Sequence, residues 1–595
     1  MEKKKKPNNE NQEDSSLRTN AADGTDEDPR TCTAELQVKT EETVETAVST
    51  TGSSNPKLAL RGSQDSGPIT LEEPLHNDGN FRALLRSRAR SGDTDLKIHL
   101  KTAAMNAQYT SPQIQNELIK ICGEKLVQTI VDRCNASQCF SILADETLDV
   151  STSEQLSLSV RYIDVEIGGI REDFIGFVKI HDMTGEGLAD IILKTLEKIG
   201  LNLQYLCGQS YDGAANMSGH ISGAQAIISE KYPEAVYIHC SAHSLNLALA
   251  KACSIPAVRN CQGTISSVCN FFRASSIRLE LLQKNIKDSF PESRAKSLLP
   301  LCETRWVERQ DAVLRFVELY SVVVRTLEEL KESPLYNSET SSQAEQLLFT
   351  VLNAGFVVTI HILRKFLSSS LQLNKTLQRV DVDIFGSLQY VDSLLEKARE
   401  MSTDSVKEFQ ELFDTARSVV ESMGGEVRIL RICSRQTCQS NIQATSLTPM
   451  EYYRLNVAPI TIHRGQNLSN IFIKEICKER DYMAHESSHM WCRKWKKIAP
   501  AEKPSNALEA YLVCDGQFFP NVKKLLQISA TLPVSTATNE RSFSTLKRLK
   551  TYTRSAMKQE RLTGLALLSV HRSLSIEPDF CQSVLIQFSR EVPAD

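Results

Sequence analysis

From Phe140 to Ile180 the alternation of apolar and polar positions predicts three successive strands. The run Phe140, Ile142, Leu143 leads directly into the acidic stretch Ala144-Asp145-Glu146-Thr147-Leu148-Asp149, so a buried strand delivers Asp145 at its exit edge. In the next segment Leu156, Leu158, Val160 and Tyr162 alternate with Ser157, Ser159 and Arg161, a period of two that belongs to a strand. DFIGFVKI is apolar almost throughout, as expected of a central strand covered on both faces. Helical spacing precedes this block, with Ile114, Leu118, Ile121, Leu126 and Ile130 along one face, and follows it, with Leu188, Ile191, Ile192, Thr195, Leu196 and Ile199.

Beyond the amphipathic segment the chain reads as strand (YLCGQSYD), helix (Ala224 to Lys231), strand (AVYIHC) and helix (SLNLALAKAC). Three strands able to meander, followed by strand and helix in alternation, is the order of a ribonuclease H-like mixed sheet. From Ile255 to Glu502 strand signals vanish. Helical patterns such as Val313, Phe316, Val317, Tyr320, Val324 and Leu327 take over, apart from an irregular stretch over 423–470. The fold class expected is therefore α/β: a ribonuclease H-like sheet interrupted by a large all-helical insertion. The expected boundaries are a disordered acidic tail (1–80), a helical segment (81–135), the first part of the core (136–254), the insertion (255–504) and a helical C-terminal region that completes the core (505–595).

Composition sharpens the two ends of the chain. Residues 1–80 lack aromatics and hold 16 acidic against 9 basic residues, too little apolar surface to offset chain entropy. Residues 521–561 carry 9 Lys and Arg against Glu540 and Glu560, a basic balance suited to phosphate backbones. Lys3 to Lys6 is a candidate nuclear import signal, or simply solubilising charge. Scattered cysteines and the lack of an apolar segment after Met1 point to an intracellular, reducing setting. The apolar run Leu347 to Leu363, interrupted by Asn353 and His361, is expected to be a buried helix, and no membrane segment is expected.

Two carboxylates, Asp145 and Asp212, stand at the ends of strands that this element order makes neighbours. Such a pair can bridge Mg2+ or Mn2+, since hard cations prefer oxygen ligands. Taken singly, an Asp after a strand is more often a turn or helix-cap residue. Glu540 falls in the first turn of a helix that goes on to carry Arg541, Lys547, Arg548 and Lys550. A Glu there is also stabilised by the helix dipole without any metal.

The segments ILADETLDVS, GQSYDGAANMSG, Cys240-Ser241-Ala242-His243, ETRW ending at Trp306, and LPVSTATNERSFSTLKRLK, in this order, resemble the hAT transposase superfamily. The likeness covers roughly 80–590 and is closest to the host-gene branch that includes the zinc-finger MYM-type proteins. It implies a metal-binding, catalytic triad of Asp145, Asp212 and Glu540, using Mg2+ or Mn2+ to cleave DNA phosphodiesters. It also implies a C-x-x-H of Cys240 and His243 beside the core, which lacks a second ligand pair and is read as structural or DNA-contacting rather than zinc-binding. By the same likeness Trp306 stacks on a flipped base, or else packs against the insertion, and Arg541, Lys547, Arg548 and Lys550 line the nucleic acid. Residues 505–575 correspond to a dimerisation region in which Phe543, Leu546, Leu549, Leu562, Leu565 and Leu568 bury against a partner or form plain core.

One departure weighs on function. The first 80 residues hold only Cys32 and His76, from which no N-terminal zinc finger can be built, and His485, His489 and Cys492 share one helix face with no remote partner pair. The expectation is a nuclear, homodimeric, domesticated transposase-like protein associated with DNA or chromatin partners. The alternatives are an active two-metal transposase and a module that binds only protein.

Overall fold

The protein, seen in a computed structural model, is described over residues 60–104, 107–252, 255–301, 306–403, 405–424, 427, 448–456, 495, 498–499, 502–574 and 578–591. Most of the expected tail (1–59), most of 423–470 and the residues His485, His489 and Cys492 lie outside that set. Two compact units emerge. The larger takes in the described residues from Ile119 to Leu574.

Its centre is a five-stranded sheet in the order β3-β2-β1-β4-β5. β1 (Phe140–Leu148), β2 (Glu154–Asp164) and β3 (Gly169–Lys179) form an antiparallel meander, while β4 (Leu206–Tyr211) and β5 (Val236–His239) run parallel to β1. The turns follow from local chemistry. Asp149 accepts from the N–H of Ser151 (2.7 Å) and Ser153 (3.2 Å) between β1 and β2. Asp164 accepts from Glu166 N–H (3.0 Å) between β2 and β3, where Gly168 adopts φ +61°, a conformation that favours glycine. The mixed α/β, ribonuclease H-like fold expected from the order of elements is the fold observed.

Two expectations about the strands change. β3 is the edge strand, not a central one; its apolar run is explained by helices on both faces. Asp145 lies within β1 rather than at its exit, because pairing with β2 continues to Leu148↔Glu154.

The two faces are chemically distinct. Phe140, Ile142, Ala144, Leu156, Leu158, Val160 and Tyr162 form one, covered by the crossover helix Gly185–Ile199, which buries Leu188, Ile192 and Leu196. That helix is capped by Thr184 Oγ1, which accepts from Gly187 N–H (3.1 Å), and ends at Gly200 with φ +95°. The opposite face carries Ser141, Ser157, Ser159 and Arg161, all buried. It is covered by the C-terminal region: Ser157 and Ser542 hydroxyls lie 2.8 Å apart, and Arg161 donates to Ala530 O (3.2 Å) and to Glu172 (2.7 Å).

Between β5 and the C-terminal region stands the helical insertion, with its own core around Phe272, Phe316, Val323, Leu327, Val357 and Leu367. The apolar run 347–363 is not one helix. It bends by 64° between Ser338–Val351 and Ala354–Lys365, the first part of the helix Ala354–Leu377, where Asn353 caps the second segment through Gly355 N–H (2.8 Å). Among the described residues no single helix is long and apolar enough to cross a membrane. The longest insertion helix, Ala354–Leu377, returns to the core: Leu377 O accepts from Ser535 Oγ (2.7 Å), and Arg161 donates to Val380 O (2.8 Å) and Val382 O (2.9 Å).

In the smaller unit, the described residues of 60–118 associate with the C-terminal helix Pro578–Glu591. Arg86 holds Asp78 bidentately (2.6 and 2.8 Å), and the Tyr109 and Phe588 rings meet edge to face at 6.2 Å.

Candidate active site

Parallel pairing of β1 and β4 brings Leu143 opposite Ser210, so two residues further along stand Asp145, still within β1, and Asp212, just past the end of β4. Both project on the face shared with Ser157 and Ser159, since the strand period is two. Asp212 follows the last residue of β4 and also caps the turn, its Oδ1 accepting from Ala214 N–H (3.1 Å). Its turn-cap role and its place at the site are thus compatible.

Glu540 arrives from far downstream, in the first turn of the helix Ala537–Leu549. Two clamps fix its position. Buried Asn539 donates through Nδ2 to Leu143 O (2.9 Å) on β1 and Ser157 O (2.7 Å) on β2, and Ser157 is the residue paired with Asp145. The turn before the helix is pinned by Cys240, whose Sγ accepts from Thr536 N–H and Thr536 Oγ1 (3.3 Å each), and by Ser241 N–H donating to Val534 O (2.9 Å).

The electrostatics register this convergence. Burial, then the charge of Glu540, then that of Asp212 push the Asp145 carboxyl well above its ordinary range. Burial and Asp212 likewise raise Glu146, whose Oε1 meets Asn216 Nδ2 at 3.5 Å and whose Oε2 is buried without a hydrogen-bond partner. Three carboxylates crowded at the end of a covered sheet are an oxygen-only donor set that suits a hard divalent cation. Among the described residues no group of three or more His, Cys, Asp or Glu is placed so that it could hold a metal ion as it stands.

This crowding has a measurable consequence. A folded-state pKa raised above the unfolded one contributes stability at low pH that is lost as pH rises through the folded value, so at neutral pH the unloaded site is destabilising. Asp145→Asn should therefore raise the stability of metal-free protein by roughly 0.5–2 kcal/mol, read by thermal melting at pH 7.5. Millimolar Mg2+ or Mn2+ should raise the melting temperature of wild type and leave the variant unmoved.

The remaining residues of interest divide. Cys240 is fully buried and burial pushes its thiol up to about 11, so it serves as a strut for the Glu540 helix. His243 and His239 close around Gly213, next to Asp212; a Cβ there would lie 3.0 Å from His239 Cε1 and 3.5 Å from His243 Cδ2. His239, whose Nδ1 lies 3.1 Å from the Tyr237 hydroxyl, was not singled out by spacing. Its place immediately before the C-x-x-H is the signal that could have found it. Trp306 opens the helix Trp306–Glu318, and its side chain lies outside the described residues.

On the Glu540 helix, Arg541, Lys547 and Arg548 are exposed. Arg541 also reaches Gln378 O (3.0 Å), and Arg548 reaches Thr545 Oγ1 (2.8 Å). Lys550 departs from expectation. It is buried and its Nζ lies 2.5 Å from Asp149 Oδ2, so its charge is taken up within the fold instead of facing nucleic acid. The choice left open for Phe543, Leu546, Leu549, Leu562 and Leu568 is likewise decided: all five are buried within one chain, and Leu565 is half-buried.

Comparison with known proteins agrees with this architecture. Residues 55–223 match the family described as "ZMYM1/FAM200, RNase-like domain", and residues 491–574 match the "hAT family C-terminal dimerisation region". The chain is similar to the "52 kDa repressor of the inhibitor of the protein kinase" of Homo sapiens, with 29% identity over 569 residues, 88% of this chain and 74% of that protein. It is similar to the Mus musculus protein of the same name, with 29% identity over 558 residues, 87% of this chain and 73% of the relative.

Proposed function

We propose that this chain, a hAT-derived, transposase-like protein with a ribonuclease-like core and a hAT C-terminal dimerisation region, works in the nucleus as a dimeric scaffold associated with DNA or chromatin proteins. The observation that carries the reading is the exposed basic row Arg541, Lys547 and Arg548 on the helix that leaves the carboxylate site. Cations there would lie along a phosphate backbone directed at Asp145 and Asp212, and such contacts bind without reading sequence.

A second reading, a retained DNA nuclease or transposase, is favoured by the carboxylate convergence itself. Asp145, Asp212 and Glu540 would hold Mg2+ or Mn2+, and the ion, when bound, supplies Lewis-acid polarisation of a phosphodiester. The protein's own part is to fix the three carboxylates through Asn539 and Cys240 and to seat the backbone on Lys547 and Arg548.

One experiment separates the two. Purified protein is incubated with labelled duplex DNA and Mn2+ beside Asp145→Asn, Glu540→Gln and the double variant Lys547→Ala/Arg548→Ala. The scaffold reading expects binding by both carboxylate variants, no cleavage by any protein, and a salt slope reduced by about 1 for each cation removed. Cleavage by wild type that both carboxylate variants lose establishes the enzyme instead. Absence of DNA binding leaves only protein partners.

A further inference from the structure

We propose that the second copy in the dimer docks on an apolar shelf built jointly by the β2–β3 hairpin tip and the start of the C-terminal region. The shelf comprises Val165 (56% exposed) and Ile167 (65%) on the hairpin, Leu512 (53%) and Val513 (52%) on the helix Ala507–Val513, and Phe518 (79%) just beyond it. Hairpin and helix are in contact, because Leu512 Cδ2 lies 3.7 Å from where a Cβ on Gly168 would stand. Scattered exposed apolar residues need no explanation, whereas several large ones carried on and just beyond two touching elements point to an interaction site. The shelf is also firmly supported. Ile163, Ala507 and Ala530 pack beneath it with Ile170, Leu508 and Tyr511, and Asp164 closes the hairpin turn.

The occupant follows from what the C-terminal region has already used. Residues 491–574 match a dimerisation region, yet its amphipathic side chains Phe543, Leu546, Leu549, Leu562 and Leu568 are buried against their own sheet. They cannot also meet a partner. Of the large apolar side chains left exposed in that stretch among the described residues, Leu512, Val513 and Phe518 belong to the shelf, while Tyr552 and Val570 do not adjoin it in sequence. The rim carries both signs, with Glu166 at the hairpin tip and Lys523, whose ammonium sits 5.2 Å from the Tyr511 ring centroid. An interface in which the same patch serves both subunits requires such self-complementarity. The hairpin of the ribonuclease-like core thus supplies half of a surface whose other half lies in the dimerisation region.

The inference rests on the dimeric reading above, and its test keeps the two apart. Full-length wild type, Ile167→Lys/Leu512→Lys, Val513→Ser/Phe518→Ser and the off-shelf control Tyr552→Lys are compared by sedimentation velocity over a concentration series, with circular dichroism to verify folding. Wild type and the Tyr552 variant should be dimers. Both shelf variants should retain the wild-type spectrum while the dissociation constant rises at least ~100-fold, since a charge or hydroxyl would be buried against apolar surface. Shelf variants that dimerise like wild type overturn the surface and leave the dimer standing. A wild type that is monomeric at every concentration overturns both.

Discussion

Replacing Lys550 with methionine should lower the free energy of unfolding by about 3–5 kcal/mol, measured by urea denaturation at pH 7, because it strands a buried carboxylate. Asp149 sits in the β1–β2 turn, inaccessible to water, and Lys550 at the end of the Glu540 helix provides its countercharge. The methionine keeps the aliphatic bulk and removes only the ammonium. Burial alone would raise the Asp149 carboxyl. The hydrogen bonds from Lys550, Ser151 and the backbone of Ser151 and Ser153 outweigh it and hold the carboxyl far below the usual range. A depressed folded value contributes stability that is complete above the unfolded aspartate pKa of about 3.9 and disappears as pH falls through the folded value. The gap between wild type and Lys550→Met should accordingly be widest near neutrality and narrow on acidification below about pH 4. A gap independent of pH would mean that lost packing, not the ion pair, causes the defect.

Asn539→Ala should cost about 1–3 kcal/mol, since it removes the two hydrogen bonds from the buried carboxamide to Leu143 O and Ser157 O, at about 0.5–1.5 kcal/mol each. Its functional effect separates it from an ordinary core lesion. The carboxamide is what ties the first turn of the Glu540 helix across β1 and β2, so the variant retains all three carboxylates and loses their arrangement. The rise in melting temperature that Mn2+ should give the wild type is expected to shrink or vanish in Asn539→Ala. If the rise persists undiminished in a destabilised variant, Glu540 is positioned by other contacts, with Cys240 and Thr536 the first to be examined.

The sheet was legible in the sequence because its period is local. Alternation over Leu156 to Tyr162 defined β2, and the order of elements made β1 and β4 neighbours, which was enough to pair Asp145 with Asp212. The burial of the Ser157, Ser159 and Arg161 face was not legible: small hydroxyls look solvated until helices close over them, and those helices come more than three hundred residues later. Glu540 was a candidate from its place in a first helical turn, and only the family likeness joined it to Asp145 and Asp212, since nothing near it in sequence shows that Asn539 reaches β1. Lys550 was misjudged for the same reason. A lysine at the end of a basic helix resembles a phosphate contact, and its partner Asp149 lies 401 residues away. The leucines of the C-terminal region have the spacing of an interface and of a core alike, and only the fold decides between them. The break at Asn353 was visible as a polar interruption, but the cap it forms depends on the backbone turning there.

The chemical difference between the two faces of the sheet also bears on how the chain is made. The meander is complete once Lys179 has been synthesised, and the Glu540 helix that covers its second face begins at Ala537, 358 residues further on. At about 5–20 residues per second the nascent sheet waits roughly 20–70 s on the ribosome for its cover. The face that closes early is the aliphatic one, sealed by the crossover helix that directly follows β3. The face left waiting presents Ser141, Ser157, Ser159 and Arg161, groups that water can solvate until the C-terminal region emerges.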